Sequence, residues 1–405
     1  MKPVSPLGII PTLASLSMLM LAVPNGLGQT AASPDQQRDT AIALEQQGNN
    51  TAAEAAWRAY LKDHPADAEA YAQLGLLEAH QENYSQAVPL YRKALALNPS
   101  MPGLRLDLGL SLFKSGALKE AIETFAPLLK SEQPSSPEAL RLATLIGLAH
   151  YGLGEYAAAV PYLKQATAAD AQNLPFRLAL AHSCLWTKQY QCVLDVYHEI
   201  LTLNAESAEA DMLAGEAMDE MNDSADAIVQ FRAAVKQDPR LPDVHFGLGY
   251  LLWGQLQYEE AAQEFKAELV NNPDHAQALI YLADAYIKLS HPEAASPLLE
   301  KAIGIDPGIE LAHLDLGILY SDAGRKDDAL RELKIAERLG PDDQNVHYRL
   351  ARFYRAAGMK GEANIEFEKT RSLQKAADET LFKKLHPSQA NGKPAGDAPS
   401  APTIN

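Results

Sequence analysis

The stretch from Ala68 to Pro99 reads AEAYAQLGLLEAHQENYSQAVPLYRKALALNP, and its spacing decides the fold. Gly75 follows the apolar Leu74; Ala87 comes twelve residues later, Tyr91 one helical turn beyond it, and Pro99 closes the segment. Two antiparallel helices, A and B, can approach closely only where side chains are small. Gly75 and Ala87 therefore belong at their crossing, and Tyr91 fills the groove beside it. Enlarging either small residue should overpack the contact, at a cost of about 1–3 kcal/mol. Proline ends the second helix, because its ring removes a backbone donor and clashes with the turn behind it.

The pattern recurs along the chain. Small residues after an apolar one stand at Ala41, Gly75, Gly109, Gly147, Ala181, Gly215, Gly249, Ala283, Gly317 and Ala351, every interval being 34 residues except the 38 between Gly109 and Gly147. The extra residues coincide with the Pro/Ser-rich stretch 131–137, which reads as a lengthened loop. Ala53, Ala87, Ala121, Ala159, Ala227, Ala261, Ala295, Ala329 and Ala363 supply the second small position, with Val193 as the larger exception. Four residues on come Trp57, Tyr91, Phe125, Leu163, Tyr197, Phe231, Phe265, Leu299, Leu333 and Phe367. Pro65, Pro99, Pro239, Pro273, Pro307 and Pro341 end six of the units.

These residues resemble the tetratricopeptide repeat family, whose motif calls for an apolar-Gly/Ala step, then Ala, an aromatic, Ala and Pro at these offsets. The unit 174–205 departs most, with Ala181, Val193 and Ala205 in place of Gly, Ala and Pro. The resemblance implies an all-α fold, a right-handed superhelical α-solenoid of about ten helix-turn-helix units over 34–377, in which each unit packs on its neighbours. It also implies a binding role. The family's clamp of lysine, asparagine and arginine for a C-terminal carboxylate is not carried over, since Arg38, Ile42, Gln73, Gly103 and Asp107 occupy the matching positions.

Composition agrees. Apolar residues are 47% and aromatics 7%, which suits many thin helix contacts better than one thick core. A formal net charge of -17 repels a polyphosphate, so nucleic acid is not an expected partner. The ends read differently. Lys2, the uncharged run Leu7 to Val23, and then Pro24, Asn25 and Gly26 have the shape of a signal peptide over 1–28, followed by a short linker, 29–33. An uncleaved N-terminal anchor is the alternative, and either reading places the body outside the cytoplasm, periplasmic or secreted. The polar start Asp35 to Asp39 reads as an N-terminal cap, 376–386 as a capping helix, and 387–405 as a disordered Pro/Ala/Gly/Ser tail.

No phosphate loop, dinucleotide fingerprint, nucleophile elbow or paired-histidine zinc helix is present, so neither catalysis nor a cofactor is expected. His245, His313 and His347 each take the fourth position of a unit and read as partly buried residues capping aromatic grooves, with no metal. Cys184 and Cys192 leave two readings open: a disulfide, permissible in an exported chain, or two reduced residues packed at the helix turn. Pro89, Pro161 and Pro297, early in their B helices, predict mild kinks.

If the small positions of helix A face the core, the neighbouring stripe lines a concave groove. In the middle units it holds Leu178, His182, Leu185 and Trp186; Met212, Glu216 and Asp219; Phe246, Tyr250 and Trp253; and Ile280, Asp284 and Ile287. This apolar and aromatic band with a few carboxylates suits an amphipathic or extended protein segment, including one with a basic residue. Arg349, Arg352 and Arg355 form a basic row read as a solvated helix face. The expected function is an exported protein-binding scaffold in envelope assembly, secretion or polysaccharide export. The alternatives are a self-associating array or an accessory subunit of a separately encoded enzyme.

Overall fold

The computed structural model describes residues 34–203 and 206–385, with backbone alone for 34 and 381–385. The expected signal peptide, linker and tail lie outside the described residues. Every regular element among the described residues is an α-helix. The helices form two compact units that divide between Ala117 and Leu118.

The first unit holds α1 (Pro34–Gln46), α2 (Asn50–Asp63), α3 (Ala68–His80), α4 (Tyr84–Leu97) and α5 (Leu104–Lys114). The second begins with α6 (Leu118–Ser131), α7 (Pro137–Gly152), α8 (Tyr156–Ala169), α9 (Leu174–Trp186) and α10 (Tyr190–Thr202). It continues through α11 (Ala208–Glu220), α12 (Ser224–Gln237), α13 (Val244–Gly254), α14 (Tyr258–Asn271) and α15 (Ala276–Lys288). It ends with α16 (Pro292–Ile305), α17 (Glu310–Asp322), α18 (Lys326–Leu339), α19 (Gln344–Ala356) and α20 (Lys360–Leu385).

The small positions do what their size permits. A Cβ added to Gly75 would lie 2.7 Å from the Tyr91 ring; one on Gly215 would lie 2.7 Å from Phe231, on Gly249 2.8 Å from Phe265, and on Gly317 2.8 Å from Leu333. The facing alanines of helix B are buried outright. Phe231 is held from two sides, because Gly247 of the next pair also lies against its ring. Gly247 carries no periodic signature.

Each helix A stops in the same way. The second residue after its end has a positive φ at Gly48, Glu82, Gly116, Gly154, Lys188, Asn222, Leu256, Ser290, Gly324 and Gly358. At α13 the turn is a Schellman motif: Leu256 N donates to the Trp253 carbonyl at 3.0 Å and Gln257 N to the Leu252 carbonyl at 2.9 Å. Several helix starts are capped by the side chain of the residue before them, as by Asp67, Ser136, Asn173, Ser207 and Asp343.

Two expectations need correction. The segment read as a separate capping helix from Ala376 is continuous with α20, because no glycine or proline interrupts the chain between Gly361 and Leu385. Histidines His245, His313 and His347 do not cap aromatic grooves. They are buried, and each Nδ1 meets the glutamate nineteen residues on, at 2.6 Å (Glu264), 2.7 Å (Glu332) and 2.6 Å (Glu366). His313 and His347 also donate Nε2–H to the carbonyls of Pro307 and Pro341, so these rings tie helix A, helix B and the preceding unit together. The helices carrying Pro89, Pro161 and Pro297 run on unbroken past them.

Candidate functional site

In the second unit, A helices meet A helices of the next pair: α7 touches α9, α9 touches α11, α13 touches α15, and α15 touches α17. Between α11 and α13 the approach is looser. The cause is local. Pro239-Arg240-Leu241-Pro242-Asp243 forms a turn with Asp243 in the left-handed region (φ 63°), so α13 starts only at Val244 and has 11 residues. Asp tolerates that conformation better than most residues. The helix starts two residues later than the register of α11 predicts, and a cleft lies beside it.

The cleft has a volume of about 390 Å³ and is lined from three successive A helices. α9 and its turn give Leu185, Trp186 and Lys188; α11 gives Glu216, Asp219 and Glu220; and α13 with its leading turn gives Asp243, Phe246, Gly247, Tyr250 and Leu251. Tyr190 and Phe231 complete the wall. Six of the thirteen groove residues read from the sequence meet here: Leu185, Trp186, Glu216, Asp219, Phe246 and Tyr250.

The aromatic walls are built. Trp186, 65% exposed, stacks on Tyr156 with centroids 5.7 Å apart, and its indole N–H donates to His182 Nε2 at 3.1 Å. That bond puts the imidazole proton on Nδ1, which is buried without a partner. Burial pulls the His182 pKa down, against the opposing field of Glu209, so the ring is a neutral prop for Trp186. Opposite, Tyr250 is 42% exposed and stacks with Phe246 and Trp253 at 6.3 Å each, while Tyr281 meets Tyr250 and Trp253 edge-on at 5.3 and 5.2 Å.

Carboxylates floor the cleft. Tyr190 donates its hydroxyl to Glu220 at 2.9 Å, Ser224 donates to Asp219 at 3.2 Å, and His275 Nε2 lies 3.0 Å from Asp243. Glu216 is half-buried, and no hydrogen-bond donor reaches it among the described residues. Burial, with the nearby charges of Asp243 and Glu220, pushes its pKa up to about 7.

The other stripe residues lie elsewhere. Ile280 is not a groove residue: it is buried in the core formed with Ala283, Leu279 and Ala312. Leu178 packs against the core around α9 and α10, Met212 against that around α12 and α13, and Ile287 against that around α16 and α17. Trp253 is anchored by a 2.6 Å bond to Asp284, whose other oxygen is 3.9 Å from Lys288. In the basic row, Arg352 lies over the Tyr348 ring and Arg355 over Phe367. Cys184 and Cys192 are joined as a disulfide, with Cα atoms 6.0 Å apart, tying the end of α9 to the start of α10 directly before Trp186.

Two groups bring three metal-ligand types together, Asp243 with Glu268 and His275, and Glu337 with His347 and Glu366. Neither presents a free imidazole lone pair. His275 Nδ1 accepts from Ala278 N at 3.1 Å, which leaves the proton on Nε2, and both His347 nitrogens are engaged by Glu366 and Pro341.

Family models described as the tetratricopeptide repeat match residues 38–102, 212–269 and 246–308, residues 78–146 and 290–352, and residues 140–173. The chain is 24% identical over 330 residues to the DnaJ homolog subfamily C member 7 homolog of Schizosaccharomyces pombe, covering 72% of this chain and 68% of that one. It is 24% identical over 304 residues to the BBSome complex member BBS4 of Bos taurus, covering 75% and 58%, so it spans less than two thirds of that relative's length. Among solved structures it is similar to MamA 41-end from Desulfovibrio magneticus RS-1 (19% identity, TM-score 0.40, covering 43% of this chain and 99% of that one). It is also similar to YrrB, titled a TPR protein with an unusual peptide-binding site (19% identity, TM-score 0.39, covering 46% and 97%).

Proposed function

Since the chain belongs to the tetratricopeptide repeat family, we propose that it is an exported scaffold that holds segments of other proteins along the A helices of its middle units, in envelope assembly, secretion or polysaccharide export. One observation carries the binding site: the cleft between α11 and α13, where two well-supported aromatic side chains, Trp186 and Tyr250, remain exposed. Large aromatic surfaces that are held rigid cost little entropy to bind and dominate recognition energetics. The neutral prop of His182 and the disulfide beside it fix Trp186 in advance of any partner.

Export rests on the charged start and apolar run ahead of Pro24, and a bridge between Cys184 and Cys192 suits an oxidising compartment. N-terminal sequencing of the mature chain tests it: a start near Gly28 to Pro34 agrees, and a cytoplasmic chain retaining Met1 refutes it. The site is tested by comparing proteins recovered with wild type and with Trp186→Ala plus Tyr250→Ala. Loss of specific partners is expected, and identical recovery removes the site assignment. Light scattering over a concentration series separates this reading from self-association, which would show mass rising with concentration.

A further inference from the structure

Resting on that reading and specifying its partner, we infer that the cleft between α11 and α13 takes the side chain of a lysine or arginine from the bound segment, laid between Trp186 and Tyr250 and over the carboxylates of Glu216 and Asp219.

Charge complementarity singles out this occupant. Four carboxylates, Glu216, Asp219, Glu220 and Asp243, line the cleft against one ammonium, Lys188. Three of them have donors from the protein, through Ser224, Tyr190 and His275. Glu216 has none, although it sits half-buried in the floor beneath the aromatic walls. Its oxygens are reached by solvent and by no protein donor, and a guanidinium or ammonium arriving there supplies both hydrogen bonds and charge. The walls suit the rest of the side chain. Exposed faces of indole and phenol rings attract a cation through the ring quadrupole and cover its methylene stem. An acidic side chain would face four like charges there, and a purely apolar one would leave Glu216 desolvated and unpaired.

The experiment uses the full chain and labelled decapeptides of alternating leucine and serine with one central position varied. Binding is read by fluorescence anisotropy. Lysine and arginine at the centre should bind roughly tenfold more tightly than norleucine, which keeps the stem and loses the charge, with glutamate weakest. Glu216→Gln with Asp219→Asn should abolish the preference, bringing lysine and norleucine to equal affinity. On the wild type alone, high salt should shrink the ratio of lysine to norleucine affinity, which keeps the proposal open to refutation whatever the variant's fold. Equal binding of lysine, norleucine and glutamate would overturn the cation site and leave the scaffold reading standing. A lysine preference that persists in the double variant would also overturn it. Failure of every peptide to bind would remove both readings.

Discussion

Replacing Leu256 by glycine should stabilise the protein, although glycine usually weakens helical chains. Leu256 is the second residue after α13, held at φ 61° by the Schellman bonds to Trp253 and Leu252, and its side chain is 69% exposed. An L-residue in the left-handed region carries a penalty of roughly 1–2 kcal/mol, from Cβ crowding its own backbone. Glycine escapes that penalty but brings about 0.5–1 kcal/mol of extra unfolded-state entropy. So exposed a side chain gives up little packing, and the net expected gain is about 0.5–1 kcal/mol. Gly324, at the equivalent place after α17 with φ 76° and open space around an added Cβ, provides the mirror test. Gly324→Leu should cost a comparable amount. Repeat arrays need not unfold as one two-state unit, so urea midpoints by circular dichroism should be paired with amide exchange on α13 and α14. A destabilised Leu256→Gly, or a neutral Gly324→Leu, would refute the claim that the turn imposes this backbone on whichever residue occupies it.

Three further outcomes follow from the packing and the charges. Gly247→Ala should destabilise by about 1 kcal/mol or more in urea unfolding, because its Cβ would enter the Phe231 ring already flanked by Gly215; Gly304→Ala, in open space within α16, should be neutral or gain up to about 1 kcal/mol. If both behave alike, close approach is not what requires glycine at 247. Burial, with Asp284 nearby and Lys288 and Arg349 opposing, raises the Asp315 pKa to about 7, so the folded state holds a proton that the unfolded state releases and stability falls as pH rises through that window. Asp315→Asn should therefore be more stable than wild type above about pH 7, on the order of 2 kcal/mol after solvent screening, with the difference vanishing near about pH 4; a pH-independent difference would contradict this. The preference for lysine over norleucine should weaken as pH falls through about 7, where Glu216, facing Asp243, Glu220, Asp219, Lys188 and the Tyr190 hydroxyl, gains its proton. Glu216→Gln should give a flat profile across the same range, and a sloping one would shift the effect to another group.

What could be read from the sequence and what could not divide along a physical line. Steric fit at the helix crossing admits few residue types and recurs at one register, so Gly75 against Tyr91 and Gly249 against Phe265 were legible from spacing alone. The left-handed turn after helix A recurs just as regularly, yet it is glycine at only some positions, because the Schellman bonds hold Glu82, Lys188 or Leu256 there at a tolerable cost. The partners of His313 and His347 were hidden for another reason: Glu332 on α18 and Glu366 on α20 stand among many other charged residues, and charge alone does not mark which of them is buried. Stripe arithmetic also treats every unit as identical, which is how Ile280, at the position Phe246 takes in the unit before, came to be placed in a groove when it packs in the core.

That same arithmetic explains why the aromatic stripe could be found and the cleft could not. A stripe is a property of the repeat, but a cleft is a departure from it: α13 begins late after the turn Pro239 to Asp243, and α11 and α13 approach less closely than the neighbouring A helices of their unit. Lys188 lines the cleft from off the stripe, in the turn after α9, whereas Glu220 stands 34 residues after Trp186 and shares its register. The sequence signal for the late start of α13 is the pair of prolines, Pro239 and Pro242, followed by a residue able to adopt a positive φ. Pro99-Ser100-Met101-Pro102-Gly103 has the same form before the equally short α5, with Gly103 at φ 76°. In a repeat protein of this kind the regular positions maintain the stack, and chemistry that distinguishes one partner from another is to be sought where the regularity is broken.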